Sequence, residues 1–348
     1  YAPARFFAFI YTDNGILGPT TSISSTYIIL FIAFAAFLQA SRVGEYFVNF
    51  AFAAAGSQRG GPAKVAVFAS GLMGMINGTS AGNVVATGSL TIPLMKKVGY
   101  KPQTAASVEA AASTGGQIMP PIMGAAAFVM AEFMAVSYLT VIGIAILPAL
   151  LYFIAVFVAV HFEAKRVGLK GMPKPDLPRM GAVLKERGHQ FLPLVIIVTI
   201  LVLGYSAPYA ATVGLLSVVP VALMRKTTRR EITFRLVLEG LIDGIRNSLQ
   251  VAAACACSGI VIGVIALSGV GIEFTAFVIS LAQDTMILAL VLTAVAGIIL
   301  GMGLPTTPAY IVQVALLVPA LIKLGVPLEA AHMFVFYFAI LSAITPPV

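Results

Sequence analysis

The oxygen- and amide-bearing side chains of this sequence gather where its apolar stretches break. Asn77, Thr79, Ser80 and Asn83 lie in Gly74-Met75-Ile76-Asn77-Gly78-Thr79-Ser80-Ala81-Gly82-Asn83, which carries no charge. Ser113-Thr114-Gly115-Gly116-Gln117 follows and runs into Pro120-Pro121. A second pair of such places holds Thr306, Thr307, Tyr310 and Gln313, then Ser342 and Thr345. Broken helices leave carbonyls without partners, and hydroxyls add further neutral oxygens, a donor set suited to a hard cation such as Na⁺. Half-helix N-termini after each break offer free N–H groups to a carboxylate. The expected ion ligands, as Na⁺ sites only, are Asn77, Thr79, Ser113, Thr114, Gly115, Thr306, Ser342 and Thr345. The expected substrate contacts are Asn77, Ser80, Asn83, Gln117, Thr307 and Tyr310. The plainer alternative is that small residues let helices pack closely and hydroxyls satisfy backbone at kinks.

Glu109 is the one charged candidate. It stands one helical turn before Ser113, inside apolar sequence without Lys or Arg. An intramembrane carboxylate is a functional candidate for a proton or a cation. We expect Glu109 to carry a coupling proton or to balance a Na⁺. Glu132 falls near a helix end and is expected at the interface. Asp243 and Arg246, three apart, read as a surface ion pair of little weight. His161, His189 and His332 are scattered, so neither a metal cluster nor a catalytic set is expected, and the chain reads as no enzyme. Cys255 and Cys257 read as small buried hydrophobes.

The breaks recur at a fixed spacing. Gly44, Phe47, Phe50, Gly74 and Met75 match Gly271, Phe274, Phe277, Gly301 and Met302 at an offset of 227. Thr79-Ser80 matches Thr306-Thr307 at 227, and Pro120-Pro121 matches Pro346-Pro347 at 226. At 226 the position of Glu109 is held by Val335, so the fold does not require the acid. Paired breaks in a repeat point to a secondary transporter's binding site.

These residues must be positioned by membrane helices. Hydrophobic residues make up 59% and charged residues 10% of the 348, which excludes a soluble domain. Residues 23–40, 139–161 and 245–267 are long enough to cross a bilayer, and 190–205 and 209–224 are shorter crossings. Residues 65–77 with 81–95, and 289–304 with 309–323, read as two re-entrant hairpins with tips at Gly78 and Pro305. Residues 44–55 and 272–283 read as interfacial helices, and 225–243 as an amphipathic arm. Residues 103–133 read as two half-helices with an unwound linker over 113–121, and 330–348 as the start of its counterpart. Residues 163–188 read as a charged surface loop. The expected organisation is a first repeat over 1–168, a loop, two connecting helices and an arm over 169–243, and a second repeat over 244–348, cut short at its C-terminus. Of the 21 Lys and Arg, 18 fall in loops that this topology puts on one side. By the positive-inside rule that side is cytoplasmic, and the two hairpins enter from opposite faces. The fold class is therefore an all-α polytopic membrane protein, an inverted repeat with two re-entrant hairpins and two discontinuous helices.

Gly74-Met75-Ile76-Asn77-Gly78-Thr79-Ser80, Ser113-Thr114-Gly115-Gly116-Gln117-Ile118-Met119-Pro120-Pro121 and Gly301-Met302-Gly303-Leu304-Pro305-Thr306 resemble the large membrane (permease) subunit of TRAP transporters. The match is nearest to the fused permease type that works with a TAXI-class binding protein. The resemblance implies an elevator-type carrier of the ion transporter superfamily, importing small organic anions, carboxylates above all. It implies a periplasmic solute-binding protein as partner, a small-subunit-like membrane portion fused upstream, no cofactor, and Na⁺ as coupling ion, with H⁺ the alternative. It places the chain in a bacterial or archaeal cytoplasmic (inner) membrane. The tip Asn77-Gly78-Thr79-Ser80 departs from the Ser-Gly-Ser type of the better-known branch. A stand-alone dicarboxylate symporter of the same superfamily is the near alternative, and a channel or a polytopic membrane enzyme the distant one.

Overall fold

The computed structural model describes residues 3–173, 175, 177–282 and 285–345. Among them every regular element is a helix. Among the described residues four helices are long and apolar enough to cross a membrane: Pro19–Ala40, Tyr138–Arg166, Phe234–Ser268 and Thr306–Lys323. A helix satisfies its own backbone, so apolar stretches of this length take that form in lipid. The chain divides into two compact units. The first-hairpin unit is Leu30–Met123 with Ala145–Arg246. The second-hairpin unit is Tyr1–Ile29, Gly124–Ile144 and Asn247–Val348.

In chain order we number the helices α1 (Pro3–Ile10), α2 (Pro19–Ile23), α3 (Ile29–Ala40), α4 (Val43–Ala55), α5 (Gly61–Asn77), α6 (Ser80–Asn83), α7 (Ser89–Lys97), α8 (Pro102–Gly115), α9 (Ala126–Phe133) and α10 (Tyr138–Arg166). They continue with α11 (Met180–Arg187), α12 (Leu192–Val202), α13 (Ala207–Leu223), α14 (Lys226–Arg229), α15 (Phe234–Ser268), α16 (Val270–Ala282), α17 (Met286–Gly301), α18 (Thr306–Lys323) and α19 (Leu328–Leu341).

Several expected boundaries move. The segment 163–188 is not all loop: α10 carries its charged end to Arg166, and α11 forms within the stretch. The arm over 225–243 and the crossing after it are largely one helix, the 35-residue α15, because no Gly-Pro or Pro signal interrupts them. Asp243 and Arg246 form no ion pair within 4 Å among the described residues, and both lie on that helix. Ser113, Thr114 and Gly115 are still helical in α8, so the linker begins later. A 3₁₀ turn covers Gly116–Ile118 and the chain is irregular over 119–125, where Pro120-Pro121 removes donors. The counterpart break at Pro346-Pro347 lies outside the described residues, as does Gln283 at the end of the second interfacial segment.

The first-hairpin unit packs α5, α7, α8 and α10 on small residues. Ala63, Ala66, Ala105, Ala112 and Ala164 are fully buried with Val67, Met95 and Val160 in one cluster. Small side chains let helix backbones approach in lipid, where apolar burial gives no separate drive. Gly74 shows the same close approach: a Cβ there would lie 2.2 Å from the Gly116 Cα. In the second-hairpin unit Gly301 holds the equivalent place, and its Cβ would lie 2.3 Å from the Ser342 Oγ. The repeat therefore appears in the packing as well as in the sequence.

The slip from 227 to 226 has a structural counterpart. Gly74 and Gly301 keep the longer offset, whereas Pro93 and Pro319, Lys97 and Lys323, and Gly99 and Gly325 keep the shorter one. Between them, the second arm of the first hairpin contains a π-helical stretch, Val84–Gly88, while α18 is α-helical throughout. A π turn holds one residue more than an α turn, which accounts for the extra residue. Gly99 and Gly325 end the hairpins at φ +106° and +87°, a conformation glycine adopts without penalty.

Candidate functional site

Behind the first hairpin's tip, α5, the π stretch, α7 and α8 converge on one carboxylate. Glu109 on α8 is fully buried. Its Oε1 accepts from Ser70 Oγ on α5 at 3.2 Å, from Ser113 Oγ at 3.3 Å, and from Thr87 Oγ1 in the π stretch. Its Oε2 accepts from Thr91 Oγ1 on α7. No Lys, Arg or His pairs with it among the described residues. Four hydroxyls from four segments thus take the place of a cation.

The ring serves either charge state. Each hydroxyl holds one proton and two acceptor lone pairs. Thr87 Oγ1 also reaches Asn83 O at 2.9 Å, and Thr91 Oγ1 reaches Thr87 O at 3.0 Å. With Glu109 ionised, both threonines donate to it. With a proton on Oε2, Thr91 can accept that proton and turn its own to the Thr87 carbonyl. Asn83 extends the network: its Nδ2 donates to Ser70 O at 2.8 Å, while its Oδ1 is buried without a partner. Thr114 Oγ1 and Gln117 Nε2 are also buried without partners. Unsatisfied buried polar atoms are costly; Thr114 and Gln117 flank in sequence the Gly116 beside which Asn83 Nδ2 lies.

The second hairpin is built otherwise. Gln313 Nε2 donates to Gly297 O at 2.8 Å, and Gln313 Oε1 and Thr293 Oγ1 are buried without partners. The Tyr310 hydroxyl meets His332 Nδ1 at 2.8 Å, and its ring lies edge-on to Phe336. Ser342 Oγ donates to Ala339 O at 2.7 Å and Thr345 Oγ1 to Leu341 O at 2.9 Å, both local bonds. Thr306 and Thr307 stand half-buried in the first turn of α18.

The sequence candidates of the first unit fall into two groups. Asn83, Ser113, Thr114, Gly115 and Gln117 are buried around Glu109 and the Gly116 turn. Asn77 and Thr79 stand apart from them: Asn77 Oδ1 accepts from Gln39 Nε2 at 2.6 Å, and Thr79 caps α6 by accepting from Gly82 N. Ser80 begins α6, half-buried. Glu132 is exposed at the end of α9. Ser70, Thr87 and Thr91 escaped the sequence reading. A signal existed, since Asn83, Thr87 and Thr91 recur every fourth residue, a polar stripe down an otherwise apolar arm.

A family model described as "Tripartite ATP-independent periplasmic transporter, DctM component" matches residues 8–348. The chain belongs to the DctM family. That family comprises transporter permeases and not enzymes, and it makes this all-helical chain a multi-pass membrane protein. Similar relatives include the C4-dicarboxylate TRAP transporter large permease protein DctM of Vibrio cholerae, 30% identical over 171 residues. That match covers 49% of this chain and 37% of the relative. The 2,3-diketo-L-gulonate TRAP transporter large permease protein YiaN of Escherichia coli is 23% identical over 89% of this chain and 72% of its own. The isethionate TRAP transporter permease protein DctMQ of Oleidesulfovibrio alaskensis is 25% identical over 91% of this chain and 49% of its own. The chain thus spans under two-fifths of the first relative and half of the DctMQ protein.

Proposed function

We propose that this DctM-family chain is the permease part of an ion-coupled importer of small organic anions, carboxylates above all. A periplasmic solute-binding protein, of the TAXI type, delivers the substrate. A small-subunit-like portion is fused upstream, as the DctMQ relative's name suggests for that protein. The two hairpins are re-entrant, enter an inner membrane from opposite faces as an inverted repeat, and move by an elevator mechanism.

The observation that carries this reading is Glu109, buried without a cation and ringed by four hydroxyls directly behind a hairpin tip. A carboxyl kept there at high desolvation cost has a use in binding a coupling ion. Na⁺ or H⁺ enters at Glu109 with Ser113, Thr114 and Gly115, and near Asn77 and Thr79. The second-repeat ion ligands are Thr306, Ser342 and Thr345. The substrate carboxylate meets Asn77, Ser80, Asn83, Gln117, Thr307 and Tyr310 and the helix starts after the tips. The test is uptake of labelled dicarboxylates into proteoliposomes holding the full-length protein and its binding protein, under separate Na⁺ and proton gradients. Accumulation under one gradient alone names the ion. Downhill equilibration that neither gradient drives uphill defeats the reading.

A further inference from the structure

One cavity of the first-hairpin unit lies away from the hairpin tip. It measures about 280 Å³ and lies between the start of α8 and the end of α10, lined by Tyr100, Lys101, Thr104, Glu163, Arg166 and Val167. Arg166 grips Glu163 through Nε and Nη2 at 2.8 and 2.9 Å, so Lys101 leaves the lining one positive charge in excess. α8 begins here without a side-chain cap: Lys101 holds the N-cap place and Pro102 the next. Its first-turn N–H groups therefore have no intrahelical acceptor, and the helix dipole adds to the positive field.

A second observation points to a ligand. Tyr100 lines the cavity and is only 4% exposed, and its hydroxyl has no partner. Burial and the nearby Glu163 push this phenol up to about 12, so it is a neutral donor at any working pH. A Cβ at Gly60 would lie 2.5 Å from the hydroxyl, so Gly60 packs directly against it.

The approach to the cavity is apolar. On α10, Leu147, Leu151, Ile154, Val158 and Phe162 are each more than 40% exposed. Their spacing of three or four residues makes one stripe, and it runs toward Arg166. Lys165, Arg166 and Lys101 belong to the basic side that the positive-inside rule makes cytoplasmic.

We infer that this cavity seats the phosphate headgroup of an anionic phospholipid from the cytoplasmic leaflet, with Lys101, Arg166, Thr104 and the α8 N-terminus as its donors and an acyl chain along the α10 stripe. A soluble anion would have no use for the stripe, whereas basic pockets between membrane helices on the cytoplasmic side take anionic headgroups.

The experiment titrates the detergent-purified full-length protein with dioleoyl phosphatidylglycerol, dioleoyl phosphatidylcholine or glycerol 3-phosphate. It follows thermal stability, and native mass spectrometry counts bound lipid. Phosphatidylglycerol alone is expected to raise the midpoint and to remain bound. Lys101→Ala should weaken its apparent affinity about fivefold and Lys101→Ala with Arg166→Ala about thirtyfold. Lys101 is exposed, so the single variant folds and keeps the comparison valid. An equal response to phosphatidylcholine, a response to glycerol 3-phosphate alone, or an unchanged phosphatidylglycerol affinity in Lys101→Ala overturns the inference. None of these readouts depends on transport.

Discussion

The two hairpins carry the same landmarks and different chemistry. In the first, Asn83, Thr87 and Thr91 line an arm that closes with Ser70 and Ser113 on Glu109. In the second, the matching helices bring Gln313 against Gly297 O and Tyr310 against His332, and Val335 stands where Glu109 would. Both keep a glycine at a tight helix contact, but Gly74 faces backbone and Gly301 faces side chains. The scaffold is therefore what the repeat preserves. A buried carboxylate requires donors on every side, and only one copy supplies them.

The contrast breaks most severely at the acid. Glu109→Gln keeps size and hydrogen bonding but removes the titration. Gradient-driven uptake should fall by more than about 100-fold, roughly 2.7 kcal/mol, with binding-protein docking unchanged in a pull-down. Val335→Glu should not restore it, because the second hairpin lacks the hydroxyl ring. Wild-type uptake in Glu109→Gln under both gradients would make the acid structural.

The glycine pair comes next. Gly74→Ala drives a Cβ into Gly116 backbone and should cost about 3 kcal/mol, the upper range for overpacking. Gly301→Ala meets Ser342 Oγ and Gln313 Nε2, which can turn, and the Ser342 Cβ at 2.7 Å, which cannot, and should cost about 2 kcal/mol. Thermal melts of both purified variants check the order, and equal losses would erase the difference.

The tips differ by a smaller amount. Thr79 caps α6, so Thr79→Val should lose about 1 kcal/mol and Thr79→Ser should regain most of it. Thr306 caps nothing, since Pro305 holds that place, and Thr306→Val should leave the melt unchanged. If both hydroxyls are ion ligands, both valine variants weaken ion dependence of uptake, and unchanged ion dependence in the pair would make them packing groups.

The sequence showed the hairpins because Gly, Pro and hydroxyl clusters interrupt apolar runs at a repeated spacing. It also showed Glu109, whose charge stands out in such a run. It did not show the ring around the acid. Ser70, Thr87 and Thr91 sit singly among apolar residues, and a lone hydroxyl on a helix bonds its own backbone as readily as a distant carboxylate. Only packing brings four of them together. The continuous α15 was hidden for the opposite reason, since a change from charged to apolar composition reads as a boundary although nothing in the backbone ends there.

The smallest effect concerns a site with no counterpart described in the second unit. His189 bonds Thr228 Oγ1 at 3.0 Å, and Arg187 pairs with Glu231 at 2.7 Å, joining α11 to the stretch after α14. Burial, with Arg225 and Arg187 nearby, holds this imidazole below its ordinary value. The folded state then binds fewer protons than the unfolded one. Its stabilising share is complete above about pH 6.5 and is lost as pH falls through the folded value. The thermal midpoint should drop slightly from pH 7 to pH 5, and His189→Asn should flatten that slope. An equal slope in the variant would assign the drop to other titrating groups.

The π stretch Val84–Gly88 has a consequence for the history of the chain. One codon gained or lost in either half of a duplicated gene would turn every later residue of that arm by about 100°, exchanging its lipid-facing and core-facing sides. Here the mismatch is absorbed within five residues, and Pro93, Lys97 and Gly99 come back into phase with Pro319, Lys323 and Gly325. A wide turn of this kind lets two halves of a gene drift apart in length without either losing its frame of contacts. It also marks the place where they did so.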